Sequence, residues 1–309
     1  MPRRWTLHGL NNGRIFRWTC RWVSVLPRWL SYAIGDIATW IAWRAMPSTT
    51  SALIDNLRAV FPDESTQRLS RRARQTLRCY ARDTVDFLRA LALDADDARA
   101  LFVYEAEDAE VFRRILGEGR GAILVTGHFG NWELGGVAMS RVFNLPLTVI
   151  AMTEASEEVN QQRRRIRDAM GVDTIEVRQA LDTALQIRKR LAENKIVALL
   201  MDRHLGRDRV PVTFLGRRAW FLRTPAQMAH LSGAALVPCF IERQGAGRFS
   251  VRAGTPIVVD SALPRDEALA RAAQEFAVQL EVRVRAHPQY WYHFYRYWDA
   301  QHDAYDRLR

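Results

Sequence analysis

Lysine is almost missing from this chain: Lys189 and Lys195 are the only two, although Lys and Arg together number 45 in 309 residues. The positive charge is therefore arginine's. Arginine grips carboxylate or phosphate with a planar fork, so a formal net charge of +11 points to anionic partners. Cysteine is scarce too. Cys20, Cys79 and Cys239 lie far apart with no CxxC or Cys/His spacing, which argues against a disulfide framework or a zinc site and fits a reducing compartment. The chain has no internal repeat, no low-complexity stretch, and no Walker or GxGxxG loop for a nucleotide enzyme. Long apolar runs are lacking as well. The best stretch, Trp22 to Trp43, is broken by Pro27, Arg28 and Asp36, and charges at mid-bilayer cost several kcal/mol, so a clean transmembrane helix is not expected. The same breaks, with no small-residue cleavage site after them, exclude a signal peptide.

What remains has the balance of a folded protein, 48% hydrophobic and 26% charged, long enough to bury a sizeable core. Its two ends differ. The first 50 residues hold six of the ten tryptophans, and Arg3, Arg4, Arg14, Arg17, Arg21, Arg28 and Arg44 against Asp36 alone, a net of +6. Tryptophan seats at headgroup level, and each nearby cation adds about 1 kcal/mol at an anionic surface, so residues 1–50 are expected to form a helical segment at a membrane interface. A helix packed on the protein's own core would also suit Trp29, Ile37, Trp40 and Ile41.

From Ser65 to Leu93 apolar residues recur near the 3.6 period, at Leu69, Ala73, Leu77, Tyr80, Phe87, Leu88 and Leu91, which predicts one long helix. Phe61-Pro62-Asp63 stops what precedes it, and the acidic stretch Asp94 to Arg99 reads as a linker. Beyond Gly121, short apolar runs alternate with helical stretches: strands at 122–125, 147–150, 174–177 and 196–201, helices at 132–143, 157–170 and 180–193. That alternation predicts right-handed βαβ units, hence an α/β fold with a largely parallel central sheet flanked by helices. Further strands are expected at 210–214 and 235–242, with 249–253 antiparallel to the latter at an edge. Helices are expected at 225–231 and 265–286, the last broken by His287-Pro288. Ligands in such sheets bind beyond the carboxyl ends of the strands, so the loops starting at Thr126 and Asp202 should share one site.

The loop Gly127-His128-Phe129-Gly130-Asn131-Trp132-Glu133 sets a histidine just after a buried strand and a carboxylate five residues on. A bend at Gly130 can fold the ring toward Glu133, and a His–carboxylate pair is what a general base for an alcohol requires. Equally, the residues can form a capped strand-to-helix turn, with Asn131 as cap and Glu133 meeting the helix dipole.

His-Phe-Gly-Asn-Trp-Glu resembles the HxxxxD/E signature of the lysophospholipid acyltransferase superfamily, and its wording is most similar to the bacterial lipid A biosynthesis lauroyl/myristoyl acyltransferase family. The resemblance runs along most of the chain: Asn56-Leu57 with Phe61-Pro62, Asp202-Arg203, Phe214-Leu215-Gly216, Pro225-Ala226-Gln227-Met228-Ala229, Gly233 to Pro238, and the aromatic, basic stretch from His287 to Trp298. It implies a glycerol-3-phosphate acyltransferase-like catalytic domain over residues 51–309. His128 would deprotonate an acceptor hydroxyl that attacks an acyl thioester, with Glu133 orienting the base. Asn131, Trp132, Asp202 and Arg203 would meet substrate, Arg203 facing a phosphate and Asp202 positioning it. The resemblance implies no metal or cofactor. It implies acyl carrier protein or acyl-CoA as donor, a membrane lipid or glycolipid as acceptor, and work at the cytoplasmic face of the inner membrane, peripheral or shallowly anchored on its anionic surface. The chain departs from many relatives in carrying Arg223-Thr224 where a glycine precedes the Pro-Ala helix.

The family also includes phosphatidylinositol mannoside acyltransferases, so the acceptor stays open. A basic nucleic-acid-binding protein is the reading from another class, but no helix-turn-helix, RNP or zinc-finger pattern supports it. A catalytically dead membrane scaffold is a third reading, against which the intact His128 and Glu133 speak. For the aromatic run from Trp291 to Trp298, packing on the core is expected for at least half of the rings, and a second interfacial belt is the alternative.

Overall fold

The computed structural model describes residues 19, 21–23, 25–90, 93, 95–152, 157–177 and 179–299, with backbone alone at 157–159, 162, 163 and 166. Arg3, Arg4, Arg14, Arg17, Cys20, Leu91 and Asp94, each used in the reading above, lie outside the described residues.

The central sheet has the order β1-β9-β8-β2-β5-β3-β4, with β1 at Phe102–Val103, β2 at Ala122–Thr126, β3 at Leu147–Met152, β4 at Asp173–Val177, β5 at Ile196–Leu200, β8 at Ala235–Gly245 and β9 at Arg248–Ala253. All pairs are parallel except β8 with β9. A parallel sheet is covered on both faces, which is why β2 reads as the unbroken apolar run Ala-Ile-Leu-Val and is buried throughout. β9 pairs antiparallel to β8 as expected, but it is not an edge, because β1 pairs along its other side. The register sets Thr126 opposite Leu200, so β2 and β5 end side by side and the loops that follow start together. A separate antiparallel hairpin, β6 (Val210–Phe214) and β7 (Arg217–Phe221), packs its buried face on the long helix Arg265–Ala286.

Three long helices precede the sheet among the described residues: α1 (Arg28–Ala45), α2 (Pro47–Val60) and α3 (Thr66–Ala90). Proline fixes both starts, Pro27 just before α1 and Pro47 at the first turn of α2. α3 matches the periodic stretch read from the sequence, with Leu69, Ala73 and Leu88 buried. The acidic stretch after it is not a plain linker, since Ala95–Arg99 closes a short helix, α4. α5 (Ala106–Leu116) leads into β2. The helix expected over 132–143 is α6 (Trp132–Val137) running into a π turn at Ala138–Val142, where the Phe143 N–H reaches the Ala138 carbonyl and the Ser140 hydroxyl donates to the Gly136 carbonyl, a back-bond that bends helices. α7 (Glu157–Ala169), α8 (Ala180–Ala192), α9 (Thr224–Ser232) and α10 (Arg265–Ala286) complete the order.

α1 lies on α3 through polar contacts. Tyr32 donates to Asp86 at 2.5 Å, and Arg78 and Arg82 both fork onto Asp36. Its other side shows Trp29, Ile37 and Trp40 to solvent, 69%, 61% and 59% exposed, so these side chains are not packed on the core. Beneath that contact, Arg243 from β8 reaches Asp83 at 2.5 Å and Asp86 at 2.7 Å. Three buried charges held this way tie α1, α3 and the sheet together, and the loss of any one would strand the others.

Candidate active site

His128 sits in the loop after β2, and the loop's shape is set at Gly130. Gly130 has φ +62°, and a Cβ there would collide with the Ile241 carbonyl oxygen of β8. Around it, the Gly130 N–H donates to the Tyr290 carbonyl at 2.8 Å, the Asn131 N–H to the Ile241 carbonyl at 2.9 Å, and the Tyr292 N–H to the His128 carbonyl at 2.7 Å. The loop is thus fastened to β8 on one side and to the segment after α10 on the other.

The turned loop brings His128 to the end of β5. Its Nδ1 lies 2.8 Å from Oδ1 of Asp202, and its backbone N–H donates to Oδ2 of the same carboxylate at 2.8 Å. Asp202 is fully buried. Burial by itself raises a carboxyl pKa, but the hydrogen bonds that His128 and His293 donate, with the partial positive charge of each ring N–H, outweigh it and hold Asp202 below the usual carboxylate range. An ionised carboxylate only accepts, so Nδ1 of His128 carries the proton and Nε2 is left with its lone pair. Nε2 meets no hydrogen-bond partner among the described residues, and the side chain is 22% exposed. That is the tautomer and the accessibility that a general base needs.

The second oxygen of Asp202 takes a second histidine. Nε2 of His293 lies 2.9 Å from Oδ2, and Nδ1 of His293 lies 3.0 Å from the Tyr295 hydroxyl. His293 is buried, and burial pushes its pKa down to about 4 against the pull of Asp202. It is therefore neutral, donates from Nε2 and accepts from Tyr295. The Tyr297 hydroxyl donates to the Asp202 carbonyl at 2.6 Å, which fixes the backbone of the same residue.

Glu133 is not the carboxylate partner of His128. It begins α6, half-buried, and lines a groove with Trp132, Tyr80, Asp83, Arg167 and Tyr292, while the ring of His128 bonds to Asp202 instead. The five-residue spacing misleads because the loop turns at Gly130 toward β5 while the helix carries Glu133 toward α3. Trp132 packs edge-on to His128, ring centroids 5.4 Å apart, and forms the groove wall. Asn131 caps α6, accepting from the Leu134 N–H and donating to the Asp83 carbonyl at 2.9 Å; it is buried and contributes to the lining of the same groove. Asp202 bonds the two histidines and makes no ion pair with Arg203. Arg203 is exposed beside the site, its guanidinium 5.1 Å from the Tyr295 ring centre.

His128, Asp202 and His293 are a possible set of metal ligands, with donor atoms within 4.8 Å of one another. Both rings, however, already approach the carboxylate at hydrogen-bond distance, and a cation there would have to replace both ring protons. The arrangement fits proton handling better than ligation. His293 and Tyr297 were hidden in the aromatic run; the one available signal was polar atoms at every second position, His293, Tyr295 and Tyr297, a spacing that aims them to one side of an extended segment. Trp291, Tyr292 and Tyr297 are buried, and Phe294, Tyr295 and Trp298 are partly buried against the core, so the run packs on the protein.

Comparison with known proteins adds a sequence-wide constraint. The family model for bacterial lipid A biosynthesis acyltransferase matches residues 13–300. Among curated proteins, the chain is 29% identical over 177 residues to a phosphatidylinositol mannoside acyltransferase of Mycolicibacterium smegmatis, covering 56% of this chain and 57% of that protein. It is 29% identical over 189 residues to one of Mycobacterium tuberculosis, covering 60% of this chain and 57% of that protein. The alignments thus span a little over half the length of these relatives.

Proposed function

We propose that this chain, which belongs to the bacterial lipid A biosynthesis acyltransferase family, transfers a fatty acyl group from a thioester to a hydroxyl of a glycolipid or phospholipid at a membrane surface. The observation that carries the reading is the His128–Asp202 pair, with Nδ1 protonated against a buried carboxylate and Nε2 free to take a proton.

In the reaction, Nε2 of His128 removes the proton of the acceptor hydroxyl as its oxygen attacks the thioester carbonyl. The tetrahedral intermediate collapses with cleavage of the C–S bond, and the imidazolium returns the proton to the departing thiolate. Asp202 stabilises the imidazolium between these steps, the role a buried carboxylate plays toward a base histidine. Glu133 and Trp132 line the groove beside the ring, where they meet substrate. Arg203, exposed and without a carboxylate partner among the described residues, faces a substrate phosphate. The thioester arrives as acyl carrier protein or acyl-CoA, and the reaction needs no further cofactor.

A lipid A-type glycolipid is the acceptor of the first reading. The relatives named as phosphatidylinositol mannoside acyltransferases favour a mannosylated phospholipid as the second. No described helix is long and apolar enough to cross a membrane. Attachment is instead through the exposed tryptophan face of α1, peripheral at the cytoplasmic side of the inner membrane, where acyl thioesters are made.

His128→Ala should lower acyl transfer about 10²–10⁴-fold with the fold intact, because a loop histidine contributes little core. Transfer by the purified variant at the wild-type rate would sink the mechanism. Mass spectrometry of total lipids from cells with and without the protein identifies acceptor and chain length.

A further inference from the structure

Asp83 has no part in the proton transfers, yet every polar group it owns in this region is engaged around the catalytic loop. It lies on α3, buried, where it lines the groove beside Trp132. Its Oδ1 accepts from Nε and Nη2 of Arg243 at 2.9 and 2.5 Å, and its Oδ2 accepts from the Tyr292 hydroxyl at 2.6 Å. Its backbone carbonyl accepts from the Asn131 side chain at 2.9 Å. Arg243 is held in turn. It reaches Asp86 at 2.7 Å and donates to the Tyr32 hydroxyl and the Gly245 carbonyl, each at 3.1 Å.

The anchors of the His128 loop lead back to this pair. The His128 carbonyl accepts from the Tyr292 N–H, and the Tyr292 side chain ends on Asp83. Gly130 donates to the Tyr290 carbonyl, and the Tyr290 hydroxyl donates to the Arg243 carbonyl at 3.1 Å. Asn131, which caps α6, holds the Asp83 carbonyl. Residues 128, 130 and 131 are thus each one residue removed from Asp83 or Arg243.

Two physical points separate this arrangement from ordinary packing. A buried ion pair adds little net stability over apolar side chains of the same volume, so stability alone does not account for a carboxylate here. Ring contacts also fix direction poorly. Tyr292 lies edge-on to Tyr80 and tilted to Trp132, with centroids 5.2 and 6.1 Å away, contacts that tolerate sliding, whereas its hydrogen bond to Asp83 does not. We infer that Asp83 is a positioning residue for the transfer reaction, holding the His128 loop through Tyr292 so that Nε2 of His128 meets the acceptor hydroxyl. The inference rests on the acyl-transfer reading and adds to it a residue that acts without touching the reacting atoms.

The test uses two substitutions in the full-length protein. Asp83→Leu keeps the approximate shape without an acceptor. Tyr292→Phe removes the hydroxyl alone and leaves Asp83 on Arg243, so it serves should Asp83→Leu fail to fold. The donor is a long-chain acyl-CoA, and the acceptor is whichever of a lipid A precursor and a mannosylated phosphatidylinositol the wild type acylates. A misplacement of about 1 Å costs on the order of 10²-fold in rate, so kcat per folded molecule should fall about 10–10²-fold in each variant, with KM little changed. The double variant should fall no further than Asp83→Leu, because both substitutions cut one connection. A readout without turnover is the downfield proton NMR signal of His128 Nδ1–H against Asp202, identified by its loss in His128→Gln; it should move or broaden in both variants. Folded variants with wild-type kcat and only a lower melting temperature overturn the inference, since Asp83 would then be structural. A raised KM at unchanged kcat also overturns it, since Asp83 would then meet substrate in the groove. An unmoved downfield signal overturns it whatever the rates do. If the wild type acylates neither acceptor while that signal moves in the variants, the positioning stands and the acyl-transfer reading fails.

Discussion

Asp202 stays charged in a place where burial alone would neutralise it, and it does so because two imidazoles and a backbone N–H surround it. Of these, His293 leaves a signature in stability. Its pKa is near 6.5 when unfolded and about 4 in the fold, so between those values the unfolded chain binds a proton that the native chain does not. Native stability contributed by this ring is present above pH about 6.5 and is lost as pH falls toward about 4, with a slope approaching 1.4 kcal/mol per pH unit. Asp83, raised to about 6 chiefly by burial, acts in the opposite sense over an overlapping range and so offsets part of this slope in the wild type. Comparison with His293→Gln cancels Asp83 and keeps a donor for Asp202. In urea unfolding at pH 7 and pH 4.5, the stability advantage of wild type over the variant should shrink at the lower pH; an advantage equal at both would mean that the fold does not lower the pKa of His293. The sequence revealed His128 because its loop carries a family wording, whereas the carboxylate that bonds the ring comes 74 positions later and the second histidine 165 positions later. Such pairings are made by tertiary structure, and spacing along one loop, which singled out Glu133, does not report them.

Among the elements, the turn at Gly130 decides where His128 points. Gly130→Ala would place a side chain at φ +62° and against the Ile241 carbonyl oxygen. Left-handed backbone costs a non-glycine residue about 1–2 kcal/mol, and the collision adds to that. Urea unfolding should show the variant less stable by on the order of 2–3 kcal/mol, with the surviving folded protein slow in transfer because the ring has shifted. Stability and rate both at wild-type levels would mean that the loop does not need this turn. Strands β2 and β5 and helix α3 were legible because each buries a continuous or periodic apolar face of its own. The short edge strand β1 and the π turn after α6 were not. β1 is held by two register pairs to β9, and the π turn depends on where Ser140 sends its hydroxyl.

At the scale of the whole molecule, α1 exposes large apolar side chains and the hairpin exposes none. Trp29 and Trp40 stand exposed on α1, whose opposite side is fastened to α3, and Arg217 and Arg218 stand on the hairpin. Trp29→Ser with Trp40→Ser removes apolar area from the exposed side alone, so co-sedimentation with anionic liposomes should fall strongly while the melting temperature is retained. The wild type should be released only in part by high salt, because arginine attraction is screened over roughly 8 Å at physiological salt and buried tryptophan is not. Wild-type protein that stays in solution beside these liposomes at low salt would remove α1 from the membrane. The uneven placement of tryptophan and arginine was visible in composition; which side of α1 faces outward was not, since it depends on Asp36 and Tyr32 finding partners on α3.

The ordering of the site along the chain also bears on how the protein is made. His128 and Asp202 belong to loops that leave the ribosome well before the segment 287–299, yet that segment supplies the Tyr290 and Tyr292 backbone contacts to the His128 loop, the His293 ring and the Tyr297 hydroxyl. Until it has been synthesised and has packed back, Asp202 lacks the His293 ring on Oδ2 and the Tyr297 hydroxyl on its carbonyl. The His128–Asp202 pair is therefore held from all sides only after residues 287–299 have followed it out of the ribosome.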